Sequence, residues 1–262
     1  MTFENVILPF LIVAIEAIAV LLGGWLVITF KISNRNFIPI LLSFAAGNML
    51  FASLVKVIPV SIDLFNNVYE KPISLIYFSA AFFIGVLATA PIDYLFTHIL
   101  KNKHEQTKNK PQERNKLYFI IFLSITFHNF FEGIAIYLAY LSEKAIIAPL
   151  LIAVIAHNIP EGAVIGTMAY KMTKSKGQTL LYSFLCGASG LVGATLTYFI
   201  LQDMMSSMLL AFIKAILAGL LINTSLAELF TRSLQKGEYR ISSRALIGGM
   251  IFMSILLIMM EW

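Results

Sequence analysis

Eight runs of apolar residues, all but the last long enough to cross a bilayer, set the limits on what this chain can fold into. A membrane-crossing helix needs about 20 mostly apolar residues. Such runs extend from Val6 to Phe30, Ile38 to Val60, Ser74 to Leu95, Leu117 to Leu141, Ala145 to Tyr170, Thr179 to Leu201, Ser207 to Phe230 and Ala245 to Met260. The last is short, but Arg244 can snorkel outward at one end and Trp262 suits the headgroup layer at the other. The first carries Glu4 and Glu16, has no basic leader and exceeds a signal-peptide core, so it is read as a permanent span. Of 262 residues, 59% are hydrophobic and 13% charged, whereas soluble domains are about half apolar and about a quarter charged. A water-soluble fold is excluded. The expectation is a single all-α transmembrane domain over residues 1–262 with eight transmembrane helices.

The formal charge of +5 is a topology signal. Fifteen of the 19 Lys and Arg lie in the connections after the first, third, fifth and seventh spans. The positive-inside rule places those connections in the cytoplasm and both termini outside, as expected of a multi-pass protein of the cell membrane. The longest, the basic segment 101–116, reads as a solvated cytoplasmic loop rather than a nucleic-acid site. The single cysteine, Cys186, excludes a disulfide framework or a thiolate metal cluster.

A faint internal repeat relates the second and seventh spans. Aligning Gly47 with Gly219 also matches Ala46 with Ala218, Ser53 with Ser225 and Leu54 with Leu226, and sets Lys56 opposite Glu228. The first and sixth spans pair similarly at Gly24 and Gly193. The paired spans run in opposite directions, so the halves read as inverted copies around the fourth and fifth spans, a transporter arrangement with its site near the midplane.

The fourth and fifth spans carry the chemistry. Ionisable groups inside membrane helices are costly and mark partners, cavities or pathways. Yet FHNFFEG holds His128, Asn129 and Glu132, and AHNIPEG holds His157, Asn158 and Glu161. A His and a Glu four residues apart share one helical face. Two such helices facing each other offer four ligands to one divalent cation. Imidazole and carboxylate without thiolate suit Zn2+ and other first-row divalent ions, whereas Mg2+ and Ca2+ prefer oxygen shells. Pro160 cannot donate to the Ala156 carbonyl, which leaves a bare oxygen beside His157 and loosens the helix. Gly133 and Gly162, one residue past each glutamate, permit close helix approach. A polar cluster that only glues helices is disfavoured because the H-N-x-x-E-G spacing occurs twice and takes two of only four histidines. The competing class is a membrane-embedded metalloenzyme using the same ligands around an activated water. A metal-gated channel is a third reading.

HNFFEG followed by HNIPEG, within eight spans and after a hydrophilic loop, resembles the ZIP (Zrt-, Irt-like protein) family of divalent-metal transporters, prokaryotic type. The resemblance covers nearly the whole chain. It implies a 3+2+3 arrangement of spans, outer triplets related by an inverted pseudo-twofold, and transport of Zn2+, or of Fe2+, Mn2+ or Cd2+, into the cytoplasm as substrate. No enzyme activity or prosthetic group is implied. Partners would be the divalent ion, the lipid bilayer and a second copy of the chain as a homodimer, without nucleic acid. By motif position, His128, Glu132, His157 and Glu161 would form the transport site, Asn129 and Asn158 would be neighbouring or second-metal ligands, and Met49 and Ala52 would lie near the outer entrance.

Two departures from the family pattern shape a further expectation. Gly190, within GASGLVGA, stands where many members carry a glutamate that holds a second metal, and Lys56 stands where small polar or metal-binding residues are common. The second cation position is therefore expected to be lost, with the Lys56 ammonium replacing its charge beside Glu132 or Glu161. The alternative is that Lys56 snorkels to the outer surface. Glu228 reads either as a cytoplasmic exit ligand or as the partner of an interfacial lysine. Asp93 and His98 are candidates for assisting release. Glu16 has no partner that the sequence identifies.

Overall fold

The computed structural model describes residues 3–30, 37–88, 110–142, 147–201, 206–236 and 239–261. Every regular element among them is helical: α1 (Phe3–Thr29), α2 (Phe37–Ala52), α3 (Ile58–Asn66), α4 (Ile73–Leu87), α5 (Lys110–Ser142), α6 (Ile147–Thr173), α7 (Lys176–Leu196), α8 (Ser207–Asn223), α9 (Thr231–Lys236) and α10 (Tyr239–Glu261). Short π-helical segments prolong three of them. Ser53–Val57 joins α2 to α3, Thr197–Leu201 extends α7, and Thr224–Phe230 joins α8 to α9. The fourth and fifth predicted spans are thus α5 and α6.

Apolar sequence becomes helix here because a helix satisfies its own backbone where no water can. Six helices among the described residues are long and apolar enough to cross a membrane, and Ile73–Leu87 is a shorter apolar one. Two starts are capped by serine: the Ser175 hydroxyl accepts from the Gln178 amide at 3.4 Å, and Ser206 accepts from Leu209 at 3.1 Å. On α10 the large side chains of Ile247, Ile251, Ile255 and Ile258 form an exposed stripe, and α4 exposes Ile76, Phe83 and Ile84. Such apolar faces suit lipid, not water. The chain is a multi-pass membrane protein.

Three span limits differ from expectation. The second run was expected to end at Val60 but continues through a π-segment to Asn66, and the last begins at Tyr239 instead of Ala245. α5 begins at Lys110, inside the segment expected to be a loop. Hydropathy locates the membrane-embedded stretch, whereas a helix can project beyond it. Residues 101–109, with Asp93 and His98, lie outside the described residues.

The helices sort into two groups by contact. α1 packs on α6 and α7, and α7 on α5, giving one four-helix group. α2 packs on α10, and α8 on α3 and α4, giving the other. Glycine makes the first group tight. A Cβ on Gly162 would run into the Val20 carbonyl of α1, and one on Gly133 into the Gly190 carbonyl of α7. The two motif glycines therefore admit α1 and α7, respectively, and not one another.

Candidate metal centre

α5 and α6 bring their motifs together in a reciprocal pairing. Glu132 Oε1 lies 2.7 Å from His157 Nε2, a hydrogen bond in which the imidazole N–H donates to the carboxylate. His128 Nε2 lies 3.4 Å from Glu132 Oε2 on its own helix and 3.8 Å from Glu161 Oε1 on the other. The i, i+4 spacing stacks each pair on one helical face, and the helix pair supplies the rest.

The amides flank this chain of contacts. Asn158 Nδ2 donates to the Val154 carbonyl at 3.0 Å and lies 3.2 Å from His157 Nε2. Asn129 Nδ2 donates to the Cys186 carbonyl of α7 at 3.4 Å. Each Asn leaves its carbonyl oxygen without a hydrogen-bond partner among the described residues, as do both carboxylate oxygens of Glu161. Five of the motif residues, His128, Glu132, His157, Asn158 and Glu161, are linked by these contacts, whereas Asn129 turns to Cys186. His157 is half-buried and the other motif residues are buried. No three His, Cys, Asp or Glu side chains among the described residues form a ready metal cage. A cation would draw the same nitrogens and oxygens inward, since they are its preferred donors.

A cavity of about 160 Å³ adjoins the centre. His128, Glu132 and His157 line it, together with Asn48, Met49, Ala52, Lys56 and Leu217. At about 30 Å³ per water, the space holds on the order of five waters or a partly hydrated ion. Met49 and Lys56, expected along a pathway, both line it. Glu161 is absent from the lining.

Asn48 was not singled out from the sequence. Its side chain is 1% exposed, lines the cavity, and finds no hydrogen-bond partner among the described residues for either polar atom. A buried amide in this state is costly unless a ligand or water engages it. The signal available in sequence was a single Asn within an otherwise apolar stretch, AAGNML. Glu228 falls in the π-segment Thr224–Phe230.

The family model described as ZIP Zinc transporter matches residues 101–257. The chain is similar to proteins named zinc transporter ZupT from Streptococcus mutans (28% identity, 98% of each chain) and Chlorobium limicola (30% identity, 91% of this chain and 92% of that one). It is likewise similar to the protein of that name from Clostridium perfringens (27% identity, 98% and 97%). The metalloenzyme alternative is thereby set aside, and the chain belongs to the ZIP zinc transporter family, as a membrane transporter and not an enzyme.

Proposed function

We propose that the chain carries divalent transition-metal cations, foremost Zn2+, across the cell membrane into the cytoplasm, through a site formed by His128, Glu132, His157 and Glu161. The observation that carries this reading is the reciprocal approach of imidazole and carboxylate across α5 and α6, at 2.7 Å and 3.8 Å, beside a cavity large enough for a partly hydrated ion. The relatives' name, zinc transporter, supports Zn2+ as the main cargo. Mixed imidazole and carboxylate ligands also suit Fe2+, Mn2+ and Cd2+, and bind firmly enough to replace hydration while allowing release. Asn129 and Asn158 set the neighbouring oxygens, and Met49 and Lys56 line the approach.

The architecture belongs to the same proposal: eight spans in a 3+2+3 arrangement, an inverted repeat, both termini outside and residues 101–116 in the cytoplasm. Support for the repeat comes from matched breaks in helical geometry. The π-segments Ser53–Val57 and Thr224–Phe230 fall at the same place when Ser53 is set against Ser225. π-helical insertions often mark functional sites. The contact grouping supports a rocking or sliding of α1, α5, α6 and α7 against the other helices, with the cavity between them. Lipid surrounds the apolar faces, and a homodimer is the expected assembly.

The test is Zn2+ uptake into proteoliposomes. Uptake by the unaltered chain, abolished in Glu132→Ala and Glu161→Ala while both elute as folded protein, is the expected result. Uptake that persists in both variants overturns the assigned site.

A further inference from the structure

Ser124 lies one turn before His128 on α5, so Ser124, His128 and Glu132 form a single stripe at i, i+4 and i+8. On α8 and the π-segment that follows it, Leu217, Leu221 and Thr224 recur at helical spacing in the same way. The two stripes meet. His128, Glu132, Leu217 and Leu221 line the cavity, whereas Ser124 and Thr224 are absent from the lining and touch each other, with Ser124 Oγ 3.2 Å from Thr224 Oγ1. Both residues are sealed from solvent, at 1% and 0% exposure. Along α5 and α8 the cavity lining thus stops where the hydroxyl pair begins. That is the side of the Lys110 end of α5, which the charge pattern assigns to the cytoplasm.

The pair joins the two helix groups. Ser124 belongs to α5, in the group with α1, α6 and α7, and Thr224 opens the segment that continues α8 in the other group. By contrast, Ser189 donates to the Thr126 carbonyl between α7 and α5, and Ser53 donates to the Ala218 carbonyl between the segment after α2 and α8, so each of these contacts stays within one group. The neighbouring Ile121 and Ile125 of α5 pack in one apolar cluster with Leu221 and Leu229. An ion cannot cross such a layer unless it parts. The hydroxyl contact is suited to being broken, because a hydrogen bond between neutral groups contributes little net stability. Once released, each hydroxyl has the carbonyl four residues earlier on its own helix within reach. The adjacent Thr126 and Ser225 show this alternative, donating to the Phe122 and Leu221 carbonyls at 2.6 Å.

We propose that Ser124 and Thr224 form a latch that closes the cytoplasmic side of the His/Glu centre: an ion held by His128 and Glu132 leaves only after this hydroxyl pair parts and α5 moves away from the π-segment Thr224–Phe230. The ion enters the centre from the cavity, and the latch keeps the exit shut meanwhile. A π-helical segment suits the receiving side, since such turns recur where a helix must rearrange for function. The latch presupposes the transport path through His128, Glu132, His157 and Glu161 proposed above.

The test is a reversible cross-link at the latch in the full-length chain. In the double variant Ser124→Cys with Thr224→Cys, sulfur replaces two oxygens 3.2 Å apart, so oxidation by diamide is expected to join them, as mass spectrometry verifies. The two single variants, treated alike, report on any reaction through the buried Cys186. In proteoliposomes the oxidised double variant should lose Zn2+ uptake at least about tenfold and regain it once reduced and freed of reductant. Its Zn2+ affinity in detergent should be retained, because neither residue holds the ion. Uptake that persists in the cross-linked protein, Zn2+ affinity lost with the cross-link, or a pair that diamide does not join each overturns the latch alone. Should the double variant fail to fold, Ser124→Ala decides: without the bond the maximal uptake rate should rise about twofold or more, and a rate at or below that of the unaltered chain overturns the latch. Uptake that persists in Glu132→Ala and Glu161→Ala overturns the His/Glu path, and the latch with it, whatever the cross-link does.

Discussion

Glu132 and His157, 25 residues apart in sequence and on different helices, are joined at 2.7 Å between Oε1 and Nε2. The two motifs therefore act as one unit and not as two separate pairs. Glu132→Gln and His157→Gln are each expected to weaken Zn2+ binding by about tenfold or more. Because both remove ligands from one site, the double variant should cost less than the sum of the single effects in free energy. Isothermal titration of the four proteins checks this, and additive losses would indicate two independent sites.

Proton competition gives a second prediction. Zn2+ binding requires neutral imidazole and ionised carboxylate, so protons displace the metal. Lowering the pH from about 7.5 to about 5.5 should weaken Zn2+ binding, because protons compete with the metal for the same nitrogen and oxygen atoms. Affinity that stays constant between those values contradicts a His-containing site.

Helix contact through glycine gives a third. At Gly162 a Cβ would meet the Val20 backbone of α1, while at Gly248 nothing lies within 4 Å. Gly162→Ala should destabilise the protein by about 1–3 kcal/mol through overpacking. Gly248→Ala should be neutral or slightly stabilising. Thermal unfolding in detergent separates the two, and equal shifts would contradict the close approach of α1 and α6.

Asn48 supplies a fourth. Replacing its unpartnered buried amide with Leu should leave stability unchanged or raised, since no protein hydrogen bond is broken. Uptake should nevertheless fall, because the cavity that His128 and His157 also line loses a group able to bind a hydrated ion. Unchanged uptake kinetics for Asn48→Leu would remove Asn48 from the pathway.

Much of the site was legible because its chemistry is local. His128 with Glu132 and His157 with Glu161 sit four residues apart, so helical geometry alone places each pair on one face. What Glu16 meets was not legible. Its neighbour Gly190 is far along the chain and identifiable only once α1 and α7 are packed. The roles of Gly133 and Gly162 were half-legible: small residues announce close contact without naming the partner, which proved to be α7 and α1. The π-segments left no signature, because apolar residues such as Leu54 and Val55 fit α- and π-geometry alike. The start of α10 at Tyr239 was missed because Arg240 and Arg244 mark the membrane boundary and not the helix boundary.

The most direct test of the central claim is the Zn K-edge X-ray absorption spectrum of the chain loaded with one equivalent of Zn2+. The account predicts a shell of nitrogen and oxygen near about 2.0–2.1 Å with imidazole scattering, which diminishes in His128→Ala and His157→Ala. A sulfur shell near about 2.3 Å, or imidazole scattering unaltered in both variants, would contradict it.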